Sequence, residues 1–173
     1  RRLAPRLATG HDQSMELGLG NTFGNNVVMT VEAPGNPPPG VRYYWRAWVY
    51  DHYADGNWAS SSASSHLVTP DNFDIPFPEL DGRWGASFTF TSKVSITTLY
   101  APSQLVWASR PLRLSLMFND DDSADLAALN SQEPLFAGET YGVQSSLSSA
   151  TEAELRGAGR EYPQWATDRY LQL

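Results

Sequence analysis

VRYYWRAWVYDHY, residues 41–53, is the stretch on which the reading of the fold turns. Its thirteen residues are dense in aromatic and β-branched types, which suit a pleated, half-buried surface. Read as a strand, it places Val41, Tyr43, Trp45, Ala47, Val49 and Asp51 on one face. Arg42, Tyr44, Arg46, Trp48, Tyr50 and His52 then lie on the other. The first face is apolar enough to be core, whereas the second mixes aromatics with arginines and reads as half-exposed. Ala54–Asn57 (ADGN) comes next as a turn, with a glycine for positive φ, and Trp58 opens the returning strand.

Strand signals continue on both sides. Upstream, Met15–Leu19 and Asn26–Glu32 are short candidates, the second with Val27, Met29 and Val31 on one face. Between it and the aromatic stretch lies Ala33–Gly40 (APGNPPPG), whose prolines cannot join a ladder and make a stiff loop. Downstream, Ser60–Ser65 reads as a loop, followed by a brief apolar run at Leu67 and Val68. Pro70–Gly85 reads as irregular. Alternation resumes over Ala86–Ile96, with Phe88, Phe90, Ser92, Val94 and Ile96 on one side. Leu99–Ser109 reads as two half-strands broken at Pro102. Leu112–Phe118 points Leu112, Leu114 and either Leu116 or Phe118 inward, and Thr140–Leu147 closes the set.

Helix signals are few. Asp122–Asn130 (DSADLAALN) reads as two turns with an acidic start. Ser149–Gly157 begins SATE, a capping box with Ser149 at the N-cap and Glu152 three residues on. Trp165, Arg169 and Tyr170 recur at helical spacing. The fold class is therefore mostly β: an antiparallel β-sandwich with one or two short helices, the clearest near the C-terminus. Residues 1–13 are expected to be a ragged lead-in, 14–160 a single β-rich domain, and 161–173 the start of a connection to a further domain.

Composition narrows the function. Nineteen acidic against twelve basic residues give a net charge of −7, so the basic stripe that a phosphate backbone requires is missing and nucleic acid is not an expected partner. The absence of cysteine excludes disulfides, thiolate metal sites and a cysteine nucleophile in this chain. No run approaches the roughly 20 apolar residues that span a bilayer. With no methionine at its start and no signal-like apolar core in Arg1–Gly10, the chain reads as a piece of a longer protein.

Candidate chemistry is sparse. The three histidines are His11, His52 and His66, and only His52, beside Asp51 and near Asp55, approaches an acid–base cluster. A strand-end histidine satisfied by local hydrogen bonds is the simpler account. Asp120, Asp121, Asp122 and Asp125 offer carboxylates for calcium but lack the spacing of a calcium loop; a solvated turn leading into a helix explains them better. No catalytic residue, metal ligand or cofactor is assigned. Six tryptophans allow a stacking platform for sugar rings, for which Trp48, Tyr50, Trp84 and Trp107 are the candidates. Core and packing roles are the alternative.

Tyr44–Trp58 (YWRAWVYDHYADGNW) resembles a pattern of bacterial membrane-anchored transglutaminase-like proteins. The match runs through Tyr44, Trp45, Arg46, Val49, Tyr50, Asp51, Tyr53, Gly56 and Trp58. Tyr141–Ser145 (YGVQS) is a second match, and Tyr162, Pro163, Trp165, Arg169, Tyr170 and Leu171 form a third. At Ala54-Asp55-Gly56 members of that family often carry an extra glycine, a departure confined to the turn. The resemblance implies that Tyr44, Trp45, Arg46, Tyr50, Asp51, Tyr53, Gly56 and Trp58 are a structural signature, with Arg46 and Asp51 fixing the hairpin and Trp45 and Trp58 packing it. It further implies a position outside the cytoplasmic membrane, tethered by the parent protein, just ahead of a transglutaminase-like core whose Cys–His–Asp triad lies beyond this chain. The expected function is a non-catalytic accessory domain that positions or regulates that core through protein contacts, with the downstream domain as partner. A carbohydrate- or peptidoglycan-binding module using exposed Trp and Tyr is the alternative, with a cell-envelope protein or glycan as its partner.

Overall fold

Strands dominate the computed structural model, which describes residues 14–16, 25–61 and 63–171. In chain order they are β1 (Ser14–Glu16), β2 (Met29–Glu32), β3 (His52–Ala54), β4 (Asn57–Ala59), β5 (Ser64–Val68), β6 (Arg83–Ser92), β7 (Ile96–Thr98), β8 (Leu105–Ala108), β9 (Leu112–Phe118), β10 (Ala124–Leu135) and β11 (Thr140–Ser148). Two helices come after them, α1 (Glu152–Gly157) and α2 (Gln164–Tyr170). All strand pairs are antiparallel, in two four-stranded sheets ordered β5-β9-β10-β7 and β2-β6-β11-β8, with a small ribbon ordered β1-β4-β3. The expected lead-in over residues 1–13, and the part of the first expected strand beyond Glu16, lie outside the described residues.

The period-two segments build the core. Phe88 and Phe90 of β6 and Tyr141, Val143 and Leu147 of β11 point into one cluster with Leu112, Leu114 and Leu116 of β9 and Leu126 and Leu129 of β10. Because that cluster draws on both four-stranded sheets, the fold is a β-sandwich. Burying a side chain of this size contributes about 1.5–3 kcal/mol relative to leaving it in water, and here both sheets supply several. Tyr141 stacks on Phe90 at 4.9 Å, donates its hydroxyl proton to Tyr100 O and accepts from Tyr100 N–H, both at 2.9 Å. Burial therefore pushes the Tyr141 hydroxyl far above the usual phenol range.

Several sequence expectations need correction. Residues 41–53 do not form one long strand: only His52–Ala54 is a strand, and the rest crosses between sheets. Tyr43 and Trp45 lie edge-on against Phe88, and Trp45 against Phe90. Arg46 then pairs with Ala101 and Trp48 with Ala128 as isolated bridges, and Val49 N–H donates to Ala127 O at 2.8 Å. A segment that must reach both sheets cannot lie along either. Of its expected inward face, Val41, Ala47 and Asp51 are buried and Tyr43 and Val49 half-buried, while Trp45 retains 37% exposure.

The expected helix over Asp122–Asn130 is instead the start of β10. Ala and Leu favour helix locally, but here β9 pairs along one edge and β7 along the other, and Ala124 and Leu126–Leu129 are all buried. A β-bulge leaves Ala127 without a ladder partner on β9, and its carbonyl takes the Val49 proton. The strand expected to run to Ile96 stops at Ser92, and Val94 is exposed in the turn before β7. Ser64 and Ser65, expected in a loop, belong to β5, and Val27 lies exposed before β2.

The capping box is real but sits two residues further on. TEAE, not SATE, caps α1: Glu154 N–H donates to Thr151 Oγ1, and Thr151 N–H donates to Glu154 Oε2. Ser149 is already occupied, donating through both its N–H and its hydroxyl to Gly82 O.

Candidate functional site

The β3–β4 hairpin turns on Asp55 and Gly56, at φ +50° and +82°, the two positive angles a type I′ turn requires. Tyr53 and Trp58 face each other across it with ring centroids 5.1 Å apart. At its base, Asp51 N–H donates to Ala59 O, and Asp51 Oδ1 accepts from Ser61 N–H at 2.6 Å. Alternation sends the Asp51 side chain inward, where it is fully buried, and leaves His52 exposed, so the two do not meet as an acid–base pair.

The buried Asp51 carboxylate meets the far end of the chain. Arg169 of α2 brings its Nε to 3.9 Å from Asp51 Oδ2 and its Nη1 to 3.1 Å from Asp125 Oδ2. The same guanidinium donates to Asn119 Oδ1 at 2.6 Å and to Phe118 O at 3.0 Å. Tyr170 adds a hydroxyl bond to Asp125 Oδ2 at 3.1 Å. A guanidinium presents its donors in a rigid planar fork, so one side chain can serve an ion pair, an amide and a carbonyl at once. Neither helix has a buried residue, and a seven-residue helix is marginal on its own, so α2 depends on contacts such as this clasp to hold it to the sandwich.

Arg46 completes the electrostatics. Burial holds its pKa below the ordinary arginine value, and Asp125 and Tyr170 partly offset that. Burial, with the Asp125 charge beside it, pushes the Tyr170 hydroxyl up to about 12. Arg46, Arg169, Asp51 and Asp125 thus form a group of two cations and two anions, the balance that burial of charge demands. Its chemistry is fastening between sequence-distant elements: Arg169 supplies the hydrogen bonds, while buried Arg46 Nε and Asp51 Oδ2 make none.

Asn119 and the Phe118 carbonyl carry no signal in the sequence, because nothing local distinguishes them. Asp125 stands out there only as one of four acidic residues. Those four do not gather: Asp121 Oδ1 accepts from Ser123 N–H and Oγ, which lowers its pKa, while Asp122 holds the β9–β10 turn at φ +61°. Among the described residues no group of three or more His, Asp or Glu is placed to hold a metal.

The aromatic candidates occupy different faces. Trp84 of β6 is half-buried against the core, whereas Trp107 of β8 pairs with outward-facing Gln144 and donates its indole N–H to Pro70 O. Trp48 donates to Ser60 Oγ at 2.7 Å, and Tyr50 is half-buried. In the signature stretch Tyr44 is 74% exposed, and Trp45 stacks on Tyr43 rather than on the hairpin. No helix among the described residues is long and apolar enough to cross a membrane.

The described residues form a β-sandwich with helix α2 fastened to it, in a chain that contains no cysteine. The chain belongs to the TgpA N-terminal domain family, whose model matches residues 4–152. Asp51, Asn119 and Asp125 fall inside that match and Arg169 outside it, so the clasp joins the family domain to the segment after it. Neither a curated protein nor a solved structure matches the chain.

Proposed function

We propose that this domain is a non-catalytic accessory domain of a transglutaminase-like protein, held outside the cytoplasmic membrane, which positions or regulates the adjoining catalytic region. The membership in the TgpA N-terminal domain family supports the accessory part of this reading. The observation that carries the positioning part is the Arg169 clasp, because it fixes the direction in which the chain leaves the sandwich. A flexible exit would let the next domain tumble, whereas a docked helix gives it one orientation. The catalytic triad would then belong to the parent protein downstream, and the partner of this surface would be that region.

The test is the parent protein's turnover with Arg169→Ala, and after removal of residues 15–160. Altered kcat/KM in both, with the catalytic region still folded, is the expected result. Unchanged kinetics in both would remove the positioning role.

A further inference from the structure

A groove of about 280 Å³ opens where the crossing segment passes α1, lined by Arg42, Tyr44, Arg83, Pro102, Leu147 and Leu155 among others. None of its lining residues is acidic, although the chain carries a net charge of −7. Among the described residues, neither Arg42 nor Arg83 is paired with a carboxylate. Arg42 Nη1 donates only to the neighbouring Val41 O. Arg83 is anchored along one edge, donating to Ser146 Oγ at 3.2 Å and to Ser146 O.

The two arginines that line the groove have no carboxylate opposite them among the described residues. Burial depresses the Arg83 pKa, and the Arg46 guanidinium behind it lowers it further. An anion entering the groove would relieve that repulsion. The wall is rigid: Gly40 sits at φ +89° so close to Ser149 and Ala150 that a Cβ would lie 2.5 Å from Ser149 O. The lips are apolar and open, with Tyr44 74% and Leu155 65% exposed.

We propose that this groove binds the carboxylate end of a peptide. Arg42 and Arg83 take the carboxylate, and Tyr44, Pro102 and Leu155 take the apolar side chain beside it. Bare phosphate has nothing to offer the apolar half of the site, which is why a peptide is the fitting ligand. The proposal does not rest on the Arg169 contacts, and of the charged group around them it draws only on Arg46.

Calorimetric titration of the chain with N-acetyl-Ala-Ala-Leu, with its C-terminal amide, and with inorganic phosphate tests this. A charge-assisted hydrogen bond is worth about 1.5–3 kcal/mol, so the amide should bind roughly tenfold or more weaker, and phosphate should be weaker than the free acid. Arg42→Glu should abolish binding of the free acid, and Tyr44→Ala should weaken it without affecting phosphate. Both side chains are exposed, so the unfolding midpoint should hold. Equal binding of acid and amide, phosphate binding as tightly as the peptide, no heat at millimolar peptide, or indifference to Arg42→Glu would each overturn the proposal.

Discussion

Arg169 Nη1 lies 3.1 Å from Asp125 Oδ2, on a guanidinium that also approaches the fully buried Asp51 to 3.9 Å. Removing the arginine takes a cation away from the buried Asp51 carboxylate and leaves it the Ser61 N–H. Arg169→Ala is expected to cost about 3 kcal/mol in chemical denaturation, as for other broken buried pairs. Asp51→Asn should recover part of that loss in the double variant, and strictly additive losses would show that the pair is not coupled.

Undocking should also be visible locally. In Asp125→Ala, amides of residues 164–170 should exchange with solvent much faster while those of β6 and β11 keep their protection. Hydrogen bonds from Arg169 and Tyr170 tie helix α2 to the sandwich. Uniform protection across the chain would contradict the clasp.

Alkaline pH should loosen the same corner. The folded state holds the Tyr170 proton up to about 12, against 10.0 for an ordinary phenol. Its contribution is complete below pH 10 and disappears as the pH climbs towards 12. Tyrosinate absorbance measured alongside α2 exchange should show release in that window, and Tyr170→Phe should flatten it.

Gly40→Ala should be among the more damaging small changes. The backbone sits at φ +89°, and the new Cβ would meet Ser149 O at 2.5 Å and Ala150 O at 2.8 Å. Positive φ alone costs an alanine about 1–2 kcal/mol, before the clash is counted. Gly35→Ala, which meets nothing within 4 Å, is the matching control and should unfold at the wild-type denaturant midpoint.

Tyr141→Phe keeps the ring on Phe90 but strips Tyr100 N–H and O of their shared partner. A loss of about 1–3 kcal/mol is expected. A neutral effect would mean that another group takes over both bonds.

Strands β6, β9 and β11 are legible because each has one face on a single core, so alternation survives in the sequence. The crossing segment is not, because its aromatics serve Phe88 and Phe90 first and the β10 bulge a few residues later. Residues 124–129 lose their alternation to burial on both sides and look helical. For α1, two overlapping capping boxes compete, and Gly82 decides by occupying Ser149, a partner 67 positions away. The site shows the same limit. Arg46, Asp51 and Arg169 belong to stretches that stand out in the sequence and Asp125 to an acidic run, but their meeting depends on contacts spanning more than forty residues.

The bulge at Ala127 has a consequence of parity. Leu126 and Leu129 are an odd number of residues apart, yet both point into the one core. Only a supernumerary residue between them permits that, since side chains along a regular strand change sides at every step. Deleting Ala127 would restore an unbroken ladder and keep Leu129 on the side of Leu126, but the carbonyl that accepts from Val49 N–H would be lost. A residue added there instead would turn Leu129 and Leu135 to the wrong side. The chain can thus absorb length changes in its proline-rich loops, but along β10 it must count to the unit.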